Sequence, residues 1–189
     1  MKNIRIGLGI TGSFCTLGEL LPYAEQLAKD NTVTPVLSFN VAGTDTRFYK
    51  AAEFKRDLVK ATGGAIIETI VDAEPVGPKK LFDLYIIAPC TGNTLAKLAA
   101  GITDTPVLMA AKAHLRNGRP ALIAVSTNDA LSNGAKNIGA LLNYRNIYFV
   151  PMRQDDCIKK ERSVTADLSK LYEACESALA GIQVQPILI

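Results

Sequence analysis

Short, almost wholly apolar runs alternate along the chain with longer amphipathic stretches, and this alternation limits the fold more than any other feature. The runs at residues 4–10, 32–39, 84–88, 120–125 and 147–150 have strand length and are rich in aliphatic side chains. The stretches between them carry apolar residues at helical spacing. Repeated strand–helix units of this kind predict an α/β protein whose mostly parallel sheet is flanked by helices.

The length and composition predict a single domain over residues 1–189. The sequence contains no repeat, low-complexity tract or linker, and a chain of this size buries about 70% of the surface that its unfolded form exposes. The formal net charge of +3 comes from cations spread along the chain, whereas nucleic-acid binding needs a dense basic face. Neither nucleic acid nor a membrane is an expected partner, since no apolar run reaches bilayer length.

Metal binding and secretion are also unexpected. The four cysteines lie far apart without a C-x-x-C pair, and a single histidine, His114, is present. The N-terminal residues Met1-Lys-Asn-Ile-Arg lack the apolar core of a secretory signal. The sequence therefore predicts a cytoplasmic protein with reduced thiols and no metal.

Local signals set the expected helix ends. Thr16 and Glu19 have the spacing of a capping box, and Pro22 predicts a disturbed first turn in the helix that follows. A helix over residues 46–62 would end at Gly63, where a left-handed cap is favourable. The tetrapeptide Ser126-Thr-Asn-Asp129 predicts a cap for a helix running to about residue 142.

The remaining segments are expected to form a strand, a loop and two helices. Residues 65–71 read as a short strand, and residues 72–82, which contain two prolines, as a loop. Residues 107–115 are predicted to be helical, with a strand as the alternative. An amphipathic helix over residues 165–179 would close the fold.

Small polar segments follow three of the predicted strands. Thr11-Gly12-Ser13 follows the first, Ser38 and Asn40 the second, and residues 89–94 the strand at 84–88. In an open parallel sheet, ligands bind outside the carboxyl ends of the strands. Hydroxyls, glycines and helix N-termini favour an anion without any lysine. These segments therefore predict one shared site for a phosphorylated cofactor.

The two common nucleotide-binding loops are absent or out of place. The chain has no Walker A lysine motif, and G-x-G-x-x-G is found only by starting at Gly7, inside the first predicted strand. The first glycine then comes too early for a phosphate-binding turn, so a dinucleotide site is the minor interpretation.

Three segments, in this order, resemble one family of flavoproteins. Gly9-Ile-Thr-Gly-Ser13 is followed about 75 residues later by Ala88-Pro-Cys-Thr-Gly-Asn-Thr-Leu-Ala-Lys97 and then by Ala100-Gly-Ile-Thr-Asp104. This combination resembles the family that includes flavin-containing cysteine decarboxylases and flavin prenyltransferases. The resemblance implies a three-layer, Rossmann-like (flavodoxin-like) fold, flavin mononucleotide (FMN) as cofactor, and homo-oligomers, either trimers or dodecamers, with FMN near subunit contacts.

The same resemblance implies which residues bind FMN. The positions that match family contacts with the FMN phosphate and ribityl chain are Thr11, Gly12, Ser13, Ser38, Thr91, Asn93 and Thr94. The expected cofactor site also includes Asn40, Pro89, Cys90 and Asn128. The decarboxylases carry a catalytic histidine in the region of residues 66–82, where this chain has none, and their P-x-M-N-x-x-M-W clamp is matched only at Asn128. No catalytic residue is assigned, and decarboxylation of a cysteine peptide is not favoured.

Further segments are similar to a sporulation branch of the family, among them Thr44-Asp-Thr-Arg-Phe48, Ala73-Glu-Pro-Val-Gly-Pro78 and Ser126-Thr-Asn-Asp-Ala-Leu131. In that branch the flavoprotein is one subunit of an enzyme that oxidises a dihydropyridine dicarboxylate to pyridine-2,6-dicarboxylate. The resemblance implies a small dicarboxylate substrate and a partner subunit with a nicotinamide-nucleotide fold. Three roles stay open: the redox subunit itself, a non-catalytic assembly subunit, and a stand-alone FMN-dependent decarboxylase or prenyltransferase.

Several candidate groups have two interpretations. Cys90 lies either beside the flavin ring or in the core, and His114 is either a general base or a surface or capping group. Residues 154–160 form either a mobile flap over the site or a solvated loop. Three cations have two possible roles: they either bind a dicarboxylate ligand or provide favourable charge at a helix C-terminus. They are Lys112, Arg116 and Arg119.

Overall fold

Seven strands form the sheet at the centre of the computed structural model, which describes residues 1–189. The strands are β1 Arg5–Ile10, β2 Thr32–Leu37, β3 Leu84–Cys90, β4 Ala121–Thr127, β5 Ile147–Phe149, β6 Met152–Asp156 and β7 Lys160–Ala166. Their order is β2-β1-β3-β4-β7-β6, and β5 pairs with the first half of β4. The pairs among β1 to β5 are parallel, whereas β6 and β7 form an antiparallel hairpin joined to the end of β4.

Eight α-helices accompany the sheet. They are α1 Leu17–Ala28, α2 Phe39–Gly43, α3 Ala51–Thr62, α4 Ile70–Ala73, α5 Gly92–Ala99, α6 Pro106–Leu115, α7 Ala135–Leu142 and α8 Leu171–Leu179. Short 3-10 turns occur at Phe14–Thr16, Glu74–Val76 and Leu168–Lys170. None of the helices combines the length and the apolar character that crossing a bilayer requires.

The helices cover both faces of the sheet, which gives three layers with a hydrophobic core on each side. Successive residues of β3 point to opposite faces, so Leu84 and Ile86 pack with α1, α3 and α8, whereas Tyr85 and Ile87 pack with α6. All seven residues of β3 are buried, as expected for a strand covered on both faces. The predicted α/β fold with a mostly parallel sheet is confirmed.

The glycines of the G-x-G-x-x-G match make room for aromatic rings. A Cβ on Gly7 would lie 2.4 Å from a ring carbon of Phe82 and 2.6 Å from one of Tyr85, and a Cβ on Gly9 would lie 2.6 Å from the Tyr85 hydroxyl. Both glycines lie inside β1, and Tyr85 donates a hydrogen bond to the Val107 carbonyl at 3.0 Å. Packing on the sheet face, rather than a phosphate-binding turn, accounts for these glycines.

The starts of two helices differ from the prediction because side chains bond elsewhere. The Thr16 hydroxyl donates to the Ser13 carbonyl at 2.8 Å and closes a 3-10 turn, so no capping box forms. The helix predicted over 46–62 begins only at Ala51, whose N–H donates to the Asp45 carboxylate at 3.0 Å. Its predicted end is confirmed, since Gly63 has a φ of 67°.

The strand predicted over residues 65–71 is wrong. Only Ile67 pairs with the sheet, in an isolated bridge to Val36. The Thr69 hydroxyl then accepts the Asp72 N–H at 3.0 Å, which starts α4 inside that segment. Residues 72–82 consequently contain the end of α4 and a 3-10 turn, so they are less irregular than the predicted loop.

The segments around β4 and β7 bring two further corrections. Ser126 and Thr127 complete β4 instead of capping a helix, and α7 begins only at Ala135 without a side-chain cap. The helix predicted over 165–179 is shorter, because Lys160–Ala166 is the second strand of the hairpin and α8 begins at Leu171. The helix predicted at 107–115 is confirmed, with the Thr105 hydroxyl accepting the Leu108 N–H.

Candidate functional site

Two hollows open at the carboxyl edge of the parallel strands. The first, which we call the strand-end hollow, has a volume of about 380 Å³ and is lined by Thr11, Gly12, Ser38, Phe39, Asn40, Thr91, Asn93, Thr94, Lys97, Asp104 and Thr105. The second, which we call the hairpin hollow, has a volume of about 620 Å³, and its wall includes Gly12, Ser13, Cys15, Glu19, Phe48, Thr91, Ser126, Asn128, Arg153, Asp155, Lys160, Ser163 and Thr165. Gly12 and Thr91 line both hollows, which therefore adjoin. The three strand ends meet at one edge as predicted, but they line two adjoining hollows rather than one: Ser38 lies in the strand-end hollow and Ser13 in the hairpin hollow.

Ser38 carries the one buried side-chain oxygen or nitrogen that has no hydrogen-bond partner. Its backbone N–H donates to the Ile10 carbonyl at 3.0 Å, which fixes the end of β2 beside the end of β1. Ser38 is one of the residues that line the strand-end hollow, and its hydroxyl is buried beneath that surface. A buried donor without an acceptor costs about 1–3 kcal/mol, so this hydroxyl is suited to a bound acceptor.

A network of hydroxyl groups joins the ends of β1 and β3. The Thr11 hydroxyl donates to the Pro89 carbonyl at 2.7 Å and accepts the Thr91 N–H at 2.9 Å. The Thr91 hydroxyl in turn lies 3.2 Å from the Thr94 hydroxyl and accepts the Thr94 N–H at 3.4 Å. Most of these groups are therefore occupied with one another, and they hold the floor of the strand-end hollow in place.

Helix α5 starts at this floor and leaves backbone donors free. Thr91 caps the helix, and the first N–H groups, those of Gly92 and Asn93, have no carbonyl one turn earlier to bond. The positive end of the helix dipole points the same way. The strand-end hollow is thus lined both by Ser38 and by the first turn of α5, through Asn93 and Thr94.

The hairpin hollow is lined by hydroxyl groups from several strands. The Ser13 and Ser126 hydroxyls lie 2.8 Å apart and connect the loop after β1 to the end of β4. Asn128 also lines this hollow, where its Oδ1 lies 3.4 Å from the buried Ser163 hydroxyl. Asn128 therefore does not cap α7, which begins at Ala135 without a side-chain cap.

The β6–β7 hairpin forms the outer wall of the hairpin hollow. Lys160 pairs with Asp155 at 2.6 Å, whereas the Arg153 side chain makes neither an ion pair nor a hydrogen bond. Residues 154–160 are the ends of two strands and their turn, so neither a flap nor a plain loop describes them. The sequence does contain a signal for this turn, since aspartate is a turn-forming residue and stands at position 156. In the structure, the Asp156 carboxylate accepts the N–H groups of Ile158 and Lys159.

Cys90 lines neither hollow. Its side chain is fully buried in the core beneath α5 and α6, and burial raises the pKa of its thiol. The structure thus favours the core interpretation of this residue. Pro89 also lines neither hollow, and its carbonyl group acts indirectly by accepting both donors of Thr11.

The cations and the histidine considered for substrate binding lie at the opposite edge of the sheet. Arg119 donates to the Phe82 carbonyl and lies 3.1 Å from the Asp83 carboxylate, just before β3 begins. His114 is 1% exposed, and its Nε2 lies 2.8 Å from the Pro120 carbonyl, just before β4 begins. Neither hollow is lined by His114 or by the cations Lys112, Arg116 and Arg119.

Comparison with known proteins assigns the family. The sequence model of the family described as Flavoprotein matches residues 1–173. The chain belongs to the flavoprotein family. It is 46% identical over 190 residues to the B subunit of dipicolinate synthase from Bacillus subtilis strain 168, covering 100% of this chain and 95% of that protein.

Solved structures agree with this flavoprotein assignment. The crystal structure of the dipicolinate synthase B subunit from Bacillus halodurans matches with a TM-score of 0.92 and 44% identity, covering 100% of this chain and 97% of that one. A dodecameric FMN-dependent Ubix-like decarboxylase from Escherichia coli O157:H7 matches with a TM-score of 0.60 and 25% identity, covering 80% of each chain.

The strand-end hollow of this flavoprotein fits a phosphate monoester. The Ser38 hydroxyl lacks an acceptor, and the N–H groups at the start of α5 are free. The acid that lines the hollow, Asp104, is paired with Lys97 at 2.6 Å, so no unpaired carboxylate repels an anion there. The donor set matches an acceptor with several negatively charged oxygens.

Gly92→Ala is expected to disturb this hollow. A Cβ at Gly92 would lie 2.6 Å from both the Asp129 carboxylate and the Thr127 hydroxyl, so the start of α5 or the end of β4 has to shift. We expect the free energy of unfolding to fall by about 1–3 kcal/mol. FMN affinity should fall by about tenfold, which corresponds to the loss of one hydrogen bond. The control is Gly139→Ala in α7, where nothing lies within 4 Å. Urea unfolding and FMN titration measure both effects, and an unchanged Gly92→Ala protein would contradict the expectation.

Proposed function

We propose that this flavoprotein binds FMN and holds its phosphate in the strand-end hollow. The observation that carries this proposal is the buried Ser38 hydroxyl without a partner, on a residue that lines the same hollow as the first turn of α5, in which no acid is unpaired. Members of the cofactor site would be Thr11, Gly12, Ser13, Ser38, Asn40, Thr91, Asn93 and Thr94. Asn128 would contact the cofactor or the substrate from the hairpin hollow.

We further propose that the chain is the B subunit of dipicolinate synthase. In this role it oxidises dihydrodipicolinate to dipicolinate in the cytoplasm during sporulation, together with an A subunit that carries a nicotinamide-nucleotide fold. The similarity over the full chain to B subunits of dipicolinate synthase supports this role. When bound, FMN supplies a two-electron acceptor for the hydride that leaves as the ring becomes aromatic. The chain's own residues bind and orient: hydroxyls of the hairpin hollow donate hydrogen bonds to a polar substrate, and the buried end of β3 excludes water from below.

Homo-oligomer formation, as a trimer or a dodecamer, is part of the proposal. Phe39 and Phe48 flank the two hollows and each is 50% exposed, which leaves apolar surface beside the site for a second copy to cover. The dodecameric relative from Escherichia coli O157:H7 supports this view. Gel filtration with light scattering measures the assembly size.

A stand-alone FMN-dependent decarboxylase or prenyltransferase is the second candidate, favoured by the likeness to that decarboxylase. Residues 66–82 contain no histidine, and the single histidine of the chain lies at the far edge of the sheet. Turnover of an acyl-cysteine peptide or a prenyl phosphate by the chain alone would favour this candidate over the first.

The decisive experiment is a titration of the apo protein with FMN, followed by dihydrodipicolinate assays with and without the A subunit. We expect the protein to become yellow and its melting temperature to rise, because a ligand that binds only the folded state stabilises it. Dipicolinate formation should require both subunits. A protein that stays colourless and gains no stability would instead support a non-catalytic assembly subunit.

A further inference from the structure

Strand register places three polar side chains in one row across the hairpin hollow. Arg153 on β6 pairs with Thr165 on β7, and Thr165 pairs with Ser126 on β4. Directly opposed residues of antiparallel strands project from the same face of a sheet. All three line the hairpin hollow, and the row continues through the Ser126 hydroxyl to that of Ser13, 2.8 Å away.

The charges along this wall leave one cation free. Lys160 is neutralised by Asp155 at 2.6 Å. Arg153 makes no ion pair with Glu19, the remaining acid of the hollow, or with Asp167. The pKa of Asp167 is lowered mainly by its hydrogen bond with Ser169 and in smaller part by the charge of Arg153, so the guanidinium keeps its donors free. A guanidinium that faces a polar hollow without a partner can donate two parallel hydrogen bonds to a carboxylate.

The backbone on both sides of Arg153 is held in place. Strand β7 pairs with one edge of β6, and the chain's last residues pair with the other edge. Met152 donates to the Ile187 carbonyl at 2.9 Å and accepts the Ile189 N–H at 3.1 Å. Strand β6 is thus paired on both edges at this point, so the guanidinium projects from an ordered strand.

We propose that Arg153 binds one carboxylate of a dicarboxylate ligand in the hairpin hollow and thereby determines specificity for dicarboxylates. Thr165, whose hydroxyl has no partner, adds a donor beside it, and the Ser126 end of the row offers neutral donors to the rest of the ligand. This inference rests on the proposed function, because the ligand class follows from it. Lysine at position 153 would keep the charge but lose the paired donors.

The test compares two probes on the FMN-loaded protein, pyridine-2,6-dicarboxylate and pyridine-2-carboxylate, by calorimetry and by the change in flavin absorbance. We expect Arg153→Gln to weaken dicarboxylate binding by about 10–100-fold, the range of a hydrogen bond to a charged group. Monocarboxylate binding should change by less than about threefold, and FMN affinity should not change. Arg153→Lys should fall between Arg153→Gln and the wild type.

Arg162→Gln is the matched control. Arg162 is an exposed arginine on the same hairpin that does not line the hairpin hollow, so this change removes the same charge without touching the site. Equal losses in Arg153→Gln and Arg162→Gln, or a wild-type protein without preference for the dicarboxylate, would overturn the inference and leave FMN binding standing. If the wild-type protein binds no FMN, the proposed function fails, and Arg153-dependent dicarboxylate binding by the apo protein would still uphold the inference.

Discussion

Ser38→Asp is expected to reduce FMN affinity by about 100-fold or more. The substitution adds a carboxylate at a residue that lines the strand-end hollow and whose hydroxyl is buried without a partner. Two like charges about 5 Å apart at an effective dielectric constant of about 20 repel by about 3 kcal/mol, and a phosphate carries more than one charge. An energy of this size corresponds to a factor of more than about 100 in the dissociation constant. Fluorescence titration of the apo variant with FMN measures it.

Ser38→Ala separates binding from folding at the same position. It removes a buried hydroxyl that has no partner, so the apo protein should be as stable as the wild type or about 1 kcal/mol more stable. FMN affinity should nevertheless fall by about tenfold or more, because the phosphate loses a donor. A purely structural role would move stability and affinity in the same direction.

The control for the added charge is Ser169→Asp. Ser169 is exposed in the 3-10 turn before α8 and lines neither hollow. This variant should bind FMN as the wild type does. If Ser38→Asp also binds FMN normally, the phosphate does not lie in the strand-end hollow.

The parallel part of the fold was predictable because burial on both faces leaves a simple pattern. All residues of β3 and the last five of β1 are buried, so each appears in the sequence as a continuous apolar run. Residues 65–71 show the limit of this signal. Ile66 and Ile67 are apolar, but the capping bond from Asp72 to Thr69 decides the local structure in favour of a helix.

The hairpin was not predictable from apolar pattern, since most of β6 is exposed. Only Met152 of that strand is fully buried, and the strand exists because its backbone pairs with β7 and with residues near the C-terminus. Such pairing joins segments that are distant in the sequence, and local propensity does not report it. The sequence therefore gives no sign that Arg153 lines the site, and the cations it does suggest, Lys112, Arg116 and Arg119, line neither hollow.

The strand-end residues were predictable because the carboxyl ends of parallel strands share one edge. Which of their side chains face the hollow was not, because that depends on strand geometry at the last residue. Thr91 lines both hollows, whereas its neighbour Cys90 ends β3 and points into the core. The orphaned state of the Ser38 hydroxyl is likewise a tertiary property that no motif shows.

Lowering the pH from 7 to 4 is expected to destabilise the folded protein by about 3 kcal/mol through His114 alone. Burial lowers the pKa of His114 from 6.5 to about 4, and its Nε2–H donates to the Pro120 carbonyl, which requires the neutral ring to carry its proton on that nitrogen. The unfolded chain takes up a proton near pH 6.5 and the folded one only near pH 4. The contribution of His114 to the free energy of unfolding is therefore fully present above pH 6.5. Between pH 6.5 and pH 4 it falls by about 1.4 kcal/mol per pH unit, and below pH 4 it changes no further.

This pH window distinguishes the histidine from the acidic residues. The Arg5 guanidinium lowers the pKa of Asp83, so the stability that this pair contributes is present above the ordinary carboxyl pKa and is lost only at lower pH. Urea unfolding at pH 7, 6, 5 and 4 should show the slope in the wild type and a nearly flat line in His114→Gln, which keeps a donor for Pro120. Because His114 is the only histidine, its single imidazole NMR signal reports the pKa directly. A midpoint near 6.5 would mean that the ring is solvated and that the slope has another origin.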